Sequence, residues 1–293
     1  MMLSFWQHIP LSLHPIAFSI GFFAIRWYAL CFLIGFFAAW KYCEHAVRKE
    51  GGWLSREKVF DMALSVFFGA LIGGRLGFAL FYAPQYFLSH PLALFIPYDF
   101  SSHIWIGISG MSFHGGLLGV IAILVYYSRK AGASFWKISD LAAVSLPIAI
   151  FFGRIGNFVN GELYGRITSV PWGMFFPNDP LWLRHASPLY EASLEGLLLF
   201  GILFFLRKKK PYPGMLSSLF VISYALFRFF SEFFREPDAG IGLLFGIFTR
   251  GQVFSFIMLL SGFFLFLWLK KSVYGKIFKK AESLRSSFDD KRA

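Results

Sequence analysis

Val59-Phe60-Asp61-Met62-Ala63-Leu64-Ser65-Val66-Phe67-Phe68-Gly69-Ala70-Leu71-Ile72-Gly73-Gly74-Arg75-Leu76-Gly77-Phe78-Ala79-Leu80-Phe81-Tyr82-Ala83 holds one acidic and one basic side chain in 25 residues. About 20 mostly apolar residues suffice to carry a helix through a bilayer. Similar runs fall at roughly 16–40, 104–128, 138–159, 192–206, 214–234 and 251–269, giving seven expected spans. The whole chain agrees. Of its 293 residues 57% are hydrophobic and 15% charged, with mean hydropathy +0.59. A soluble domain carries about 25% charged residues and could not bury so much apolar surface. The expected fold class is an all-α, polytopic membrane helix bundle. Gly69, Gly73 and Gly77 form a small-residue stripe for close helix packing, and the 40 phenylalanines read as lipid-facing bulk.

The net charge of +12 comes from 28 Lys+Arg against 16 Asp+Glu. Twenty of those cations lie in four clusters, Lys41 to Lys58, Arg129 to Lys137, Arg207 to Lys210 and Lys270 to Arg292. The clusters follow the first, third, fifth and seventh runs, which is a topology signal and not a nucleic-acid surface. The N-terminus is then outside, the C-terminus cytoplasmic and residues 160–191 outside. Residues 1–270 form the expected transmembrane domain with its outer loops, and 271–293 a basic cytoplasmic tail. Trp and Tyr near the span ends, Trp105 among them, fit interfacial belts. Cys31 and Cys43, about 18 Å apart on one helix, are too distant for a disulfide. No Cys/His spacing suggests a metal, and no cofactor is expected.

Charges inside spans are expensive and mark function by default. Those read here are Arg26, Arg75, Arg154, Arg228 and Glu232, with His114, Glu162, Glu191 and Arg235 near span ends. By helical rise Arg75 and Arg154 lie about 24 Å from the inner start of their spans, and Arg228 about 21 Å. An anionic ligand held between helices in the outer half explains that clustering. Tyr224, Arg228, Glu232 and Arg235 occupy about 80° of one helical face. They form either a polar seam or an internal ion-pair ladder, Arg228–Glu232 and Glu232–Arg235. The excess of arginine over carboxylate favours a phosphate partner, whose oxygens match guanidinium forks. His114, flanked by glycines, has the intrinsic acidity of a general base.

The densest stretch is Gly153-Arg154-Ile155-Gly156-Asn157-Phe158-Val159-Asn160-Gly161-Glu162-Leu163-Tyr164-Gly165-Arg166. It resembles the signature of the bacterial prolipoprotein diacylglyceryl transferase family at each fixed position from Gly153 to Gly165. Ala24-Ile25-Arg26-Trp27-Tyr28, Gly73 to Gly77, Met111 to Gly116, Leu189-Tyr190-Glu191 and Arg228 with Glu232 to Asp238 are similar to the family as well. The resemblance implies transfer of the diacylglyceryl group of phosphatidylglycerol to the lipobox cysteine thiol of a prolipoprotein. A thioether forms and glycerol phosphate leaves, in the bacterial inner membrane, with membrane lipids as neighbours. Arg154 and Arg228 are expected to clamp the headgroup, with Tyr28, Asn157, Glu162 and Arg235 around them. His114 is the expected base, with Tyr224 the alternative, and Glu162 is expected to pair with Arg154 and Arg166. A transporter for an anionic solute is the rival reading, but it predicts charge through the full depth or inverted repeats. A purely structural membrane subunit leaves Gly153 to Arg166 unexplained.

Overall fold

The structure, a computed structural model, describes residues 2–21, 23–96, 98–99, 104–105, 110–237 and 248–289. Asp238, the side chain of Trp105, and Lys291 and Arg292 of the basic tail lie outside the described residues. In chain order the elements are α1 (Met2–Ser12), β1 (Ile16–Ile20), β2 (Phe23–Arg26), α2 (Trp27–Lys49), α3 (Arg56–Phe81) and α4 (Pro84–Ser89). A short 3-10 turn at Pro91–Leu94, β3 (Tyr98–Asp99), β4 (Ile104–Trp105), α5 (Phe113–Lys130) and α6 (Phe135–Val159) follow. Then come β5 (Met174–Phe176), β6 (Asp179–Arg184), α7 (Ser187–Glu191), α8 (Leu199–Leu206), α9 (Met215–Ser231) and α10 (Arg250–Asp289). A π-helical turn, Ala192–Leu198, joins α7 to α8.

Helices dominate, and among the described residues the strands pair as three antiparallel two-stranded hairpins. Five helices among the described residues are long and apolar enough to cross a membrane: Trp27–Lys49, Arg56–Phe81, Phe135–Val159, Ser187–Lys209 and Arg250–Val273. The chain is a multi-pass membrane protein. Exposed phenylalanines on these helices, Phe205, Phe254, Phe256, Phe263 and Phe264 among them, suit lipid contact.

Two expected helix starts are corrected. Residues 16–26 form a hairpin with Ser19 opposite Ala24 and Ile20 opposite Phe23, turning at Gly21, whose φ is 60°. Phe, Ile and Gly at a turn favour paired strands, and an unbroken apolar run cannot by itself tell strand from helix. Arg26 therefore ends an exposed strand and does not ride a helix into the bilayer. In the third run Ile104–Trp105 is extended, and the helix begins only at Phe113. Ser112 starts it there, because its hydroxyl accepts the backbone N–H of Gly115.

The chain divides into two compact units, residues 40–139 and residues 1–39 with 140–293. In the first, α3 packs on α5 through the expected glycine stripe. A Cβ at Gly77 would come within 2.7 Å of the Gly115 Cα, and one at Gly69 would meet Ile123 at the same distance. Only hydrogen side chains permit that approach. Arg75 donates from Nη2 to the Ala93 carbonyl at 2.6 Å and lies over the Phe87 ring.

In the second unit, α2 begins against α6, where a Cβ at Gly35 or Gly156 would press on Phe152 or Tyr28 at about 3 Å. Asp140 of α6 is 1% exposed and anchors the start of α9. Its carboxylate accepts the backbone N–H of Gly214 and both the N–H and hydroxyl of Ser217, each at 2.8 Å. Gly214 adopts φ 91°, a value closed to most residues. Phe158, Met174, Phe176 and Ala186 make a buried cluster beneath β5 and β6. Cys31 and Cys43 are both buried and are not joined in a disulfide.

Candidate active site

The signature run is shaped by the end of α6. The Glu162 N–H bonds the Asn157 carbonyl at 3.1 Å and the Gly161 N–H bonds the Phe158 carbonyl at 3.0 Å. With Gly161 at φ 68°, this is a Schellman ending. It folds residue 162 back over residue 157, so the Asn157 side-chain amide donates to Glu162 Oε1 at 2.9 Å and Asn160 at 3.4 Å. The expectation that Glu162 pairs with Arg154 and Arg166 is corrected. Arg154, one turn before Asn157, points to other carboxylates, and Arg166 donates from Nε to the carbonyl of Arg235 at 3.0 Å.

Gly165 completes the run. Its N–H bonds the His185 carbonyl at 2.8 Å, and the N–H of Arg166 bonds the Phe234 carbonyl at 2.9 Å. A Cβ on Gly165 would run into the Phe234 oxygen and lie 2.7 Å from the His185 Cβ. The glycine thus lets the segment after α6 seize the chain just past α9, which sets the backbone of Arg235. His185 packs edge-to-face against Tyr190 and Phe234, and burial pushes its imidazole below the usual histidine range.

From these supports an ion-paired cluster is built. Glu191 closes α7 with its side chain 1% exposed, and Glu195, in the π turn, is fully buried. Arg154 Nε meets Glu191 Oε2 at 2.8 Å, and its Nη2 meets Glu195 Oε2 at 3.3 Å. Arg228 Nη1 lies 3.2 Å from Glu191 Oε1 and 4.0 Å from Glu195 Oε1, while its Nη2 pairs with Glu232 at 2.7 Å. Arg235 Nη1 reaches Glu191 Oε1 at 3.5 Å. Of the ion-pair ladder in the alternative reading, the Arg228–Glu232 rung is present, and Arg235 also reaches Glu191. Tyr224, one turn before Arg228, shares the field of Arg154, Arg228, Glu191 and Glu195. Tyr28 on α2 lies within electrostatic reach of Glu162 and Arg154.

The structure thus brings Arg154, Arg228, Arg235 and Tyr224 together, sets Asn157 with Glu162, and puts Tyr28 beside both. His114 belongs to the other unit, exposed in the first turn of α5. Sequence reasoning missed Glu195, although it stands four residues after Glu191, the spacing at which helical side chains share a face. With it, the cluster itself is balanced, since three guanidiniums face three carboxylates. A buried cluster so balanced avoids the cost of bare charge. It also holds several guanidinium edges in fixed directions, which suits a planar anion such as phosphate. No group of His, Cys, Asp and Glu among the described residues could hold a metal ion.

Apolar helices of spanning length, with ionised side chains from two of them and from the shorter α9 meeting in one buried cluster, define a multi-pass membrane protein with an internal polar site. Known proteins narrow this further. The family model for prolipoprotein diacylglyceryl transferase matches residues 15–268. Phosphatidylglycerol–prolipoprotein diacylglyceryl transferase from Chlorobaculum tepidum is 45% identical over 92% of this chain and 94% of its own length. The enzyme of the same name from Geobacter sulfurreducens is 46% identical over 85% and 92%. That from Aliivibrio salmonicida is 44% identical over 94% and 95%. The chain belongs to the prolipoprotein diacylglyceryl transferase family, and it is a transferase.

Proposed function

We propose that the chain transfers the diacylglyceryl group of phosphatidylglycerol to the lipobox cysteine thiol of a prolipoprotein, with Arg154 and Arg228 binding the headgroup phosphate. The carrying observation is the convergence of Arg154, Arg228 and Arg235 from separate segments on Glu191, buried among apolar helices. The thiol loses its proton, sulfur attacks the glycerol carbon bearing the phosphate, the C–O bond breaks and glycerol phosphate departs with its electron pair. Developing charge on that phosphate is what the guanidiniums stabilise. Arg235, Asn157, Glu162 and Tyr28 shape the rim. The purified chain, given phosphatidylglycerol and a lipobox peptide, should yield the thioether and glycerol phosphate, and absence of both products overturns the reading.

The base is His114 or Tyr224. His114 has the better intrinsic acidity near neutrality, and its exposure suits a peptide arriving from water. Tyr224 sits beside the guanidiniums, but a phenol ordinarily ionises only near pH 10. We take His114 as base and Tyr224 as the group that orients substrate. The pH–rate profile of His114→Gln decides: a wild-type rate with an unchanged acidic limb transfers the role to Tyr224.

The membrane arrangement belongs to the same reading. The 18-residue α5 and 17-residue α9 bring the five long helices to seven. With the basic clusters on one side, the N-terminus lies outside and the C-terminus in the cytoplasm. The ion-paired cluster then falls in the outer half of the bacterial inner membrane, facing the periplasm among membrane lipids. Residues 1–270 make the catalytic domain and 271–293 the cytoplasmic tail.

A further inference from the structure

The first turn of α10 makes a connection that capping alone does not require. Thr249 Oγ1 accepts the backbone N–H of Gln252 at 3.1 Å, and Gln252 Oε1 accepts the backbone N–H of Thr249 at 3.0 Å. Both residues are 4% exposed. This reciprocal pair is a complete capping box. Yet the Thr249 hydroxyl also donates to Glu232 Oε1 at 3.0 Å, and the opposite oxygen of that carboxylate pairs with Arg228 Nη2 at 2.7 Å. Gly251 closes the third side, since a Cβ there would lie 2.5 Å from Glu232 Cδ and Oε1. The Glu232 carboxylate is therefore confined between the start of α10 and the guanidinium, at the helix end that favours negative charge.

We propose that Thr249 is a positioning residue for phosphatidylglycerol, acting through Glu232 on Arg228, with Gly251 supplying the space. Arg228 can rotate about the end of its long side chain. Glu232 fixes one edge of its fork, which leaves Nη1 aimed at Glu191 and Glu195 in the middle of the cluster. A freed Glu232 releases that edge, and the fork no longer presents a set direction to phosphate. The inference rests on Arg228 binding the headgroup.

The test compares Thr249→Val with Thr249→Ser in steady-state transfer, varying phosphatidylglycerol and lipobox peptide separately. Losing a hydrogen bond to a charged group is expected to raise the KM for phosphatidylglycerol about tenfold, with the peptide KM unchanged. Thr249→Ser should stay within about twofold of wild type, and Thr249→Val should add nothing to Glu232→Gln. A helix cap alone would change the amount of folded enzyme and move neither KM. Where Thr249→Val does not accumulate, Gly251→Ala displaces the same carboxylate and serves in its place. An unchanged phosphatidylglycerol KM in these variants, with that of Arg228→Lys raised, overturns the role of Thr249 and leaves the headgroup reading standing. An unchanged KM in Arg228→Lys overturns the headgroup reading itself, and the proposed role of Thr249 with it.

Discussion

Arg154 touches two carboxylates through two different nitrogens, Nε and Nη2, which only a planar guanidinium can do. Lysine keeps the charge but presents one ammonium. Arg154→Lys should therefore lower transfer by about 10²-fold or more, the scale seen when a preorganised transition-state donor is removed. Protein yield and thermal midpoint in detergent should be near wild type. Near-normal transfer by that variant removes Arg154 from the headgroup site. At the residue scale the cluster is legible only in part. Arginine in an apolar helix is conspicuous, and Arg154 and Arg228 stood out for that reason. Glu195 was overlooked because it lies in the short, weakly bounded run 192–206 and because nothing in one dimension brings it to Arg154, 41 residues away.

At the scale of elements, two supports carry testable weight. Asp140 joins α6 to the start of α9 with three hydrogen bonds, although the residues are more than 70 apart in sequence. Asp140→Ala leaves two buried N–H groups and a hydroxyl without their acceptor, a loss of about 2–4 kcal/mol from paired and capped groups. The thermal midpoint in detergent should drop clearly, while KM values for the remaining folded enzyme stay close to wild type. Gly165→Ala acts differently, since its methyl meets the Phe234 carbonyl and the His185 side chain. Overpacking of this kind costs about 1–3 kcal/mol and shifts backbone. Because that backbone carries Arg235, activity should fall further than stability does, measured as transfer per folded molecule. Element boundaries were the least legible part of the sequence. Residues 16–26 and 104–112 are as apolar as the helices they precede, so composition extended those helices too far. Pairing across Gly21 and the hydroxyl of Ser112 decide the true starts, and neither is a matter of hydropathy.

For the whole molecule, the alternation of cationic loops predicts which side each loop occupies. Reporter fusions at residue 208 should be active in the cytoplasm and those within 160–191 outside. A fusion at 208 that reports an outside location reverses the assignment. Broad class was the most legible property of all, because hydrophobic content and basic clusters are sums over many residues that no single contact can overturn. The ion-paired cluster carries one more consequence. Before any lipid enters, the cations of Arg154, Arg228 and Arg235 are matched by Glu191, Glu195 and Glu232. On the reading that phosphate binds there, an arriving headgroup must exchange places with a carboxylate already seated. Affinity is then the difference between two similar ionic arrangements, and the same exchange run backwards expels the severed glycerol phosphate. A site that is never empty of negative charge sheds its product without having to reopen a bare cationic hole, and so is ready for the next turnover.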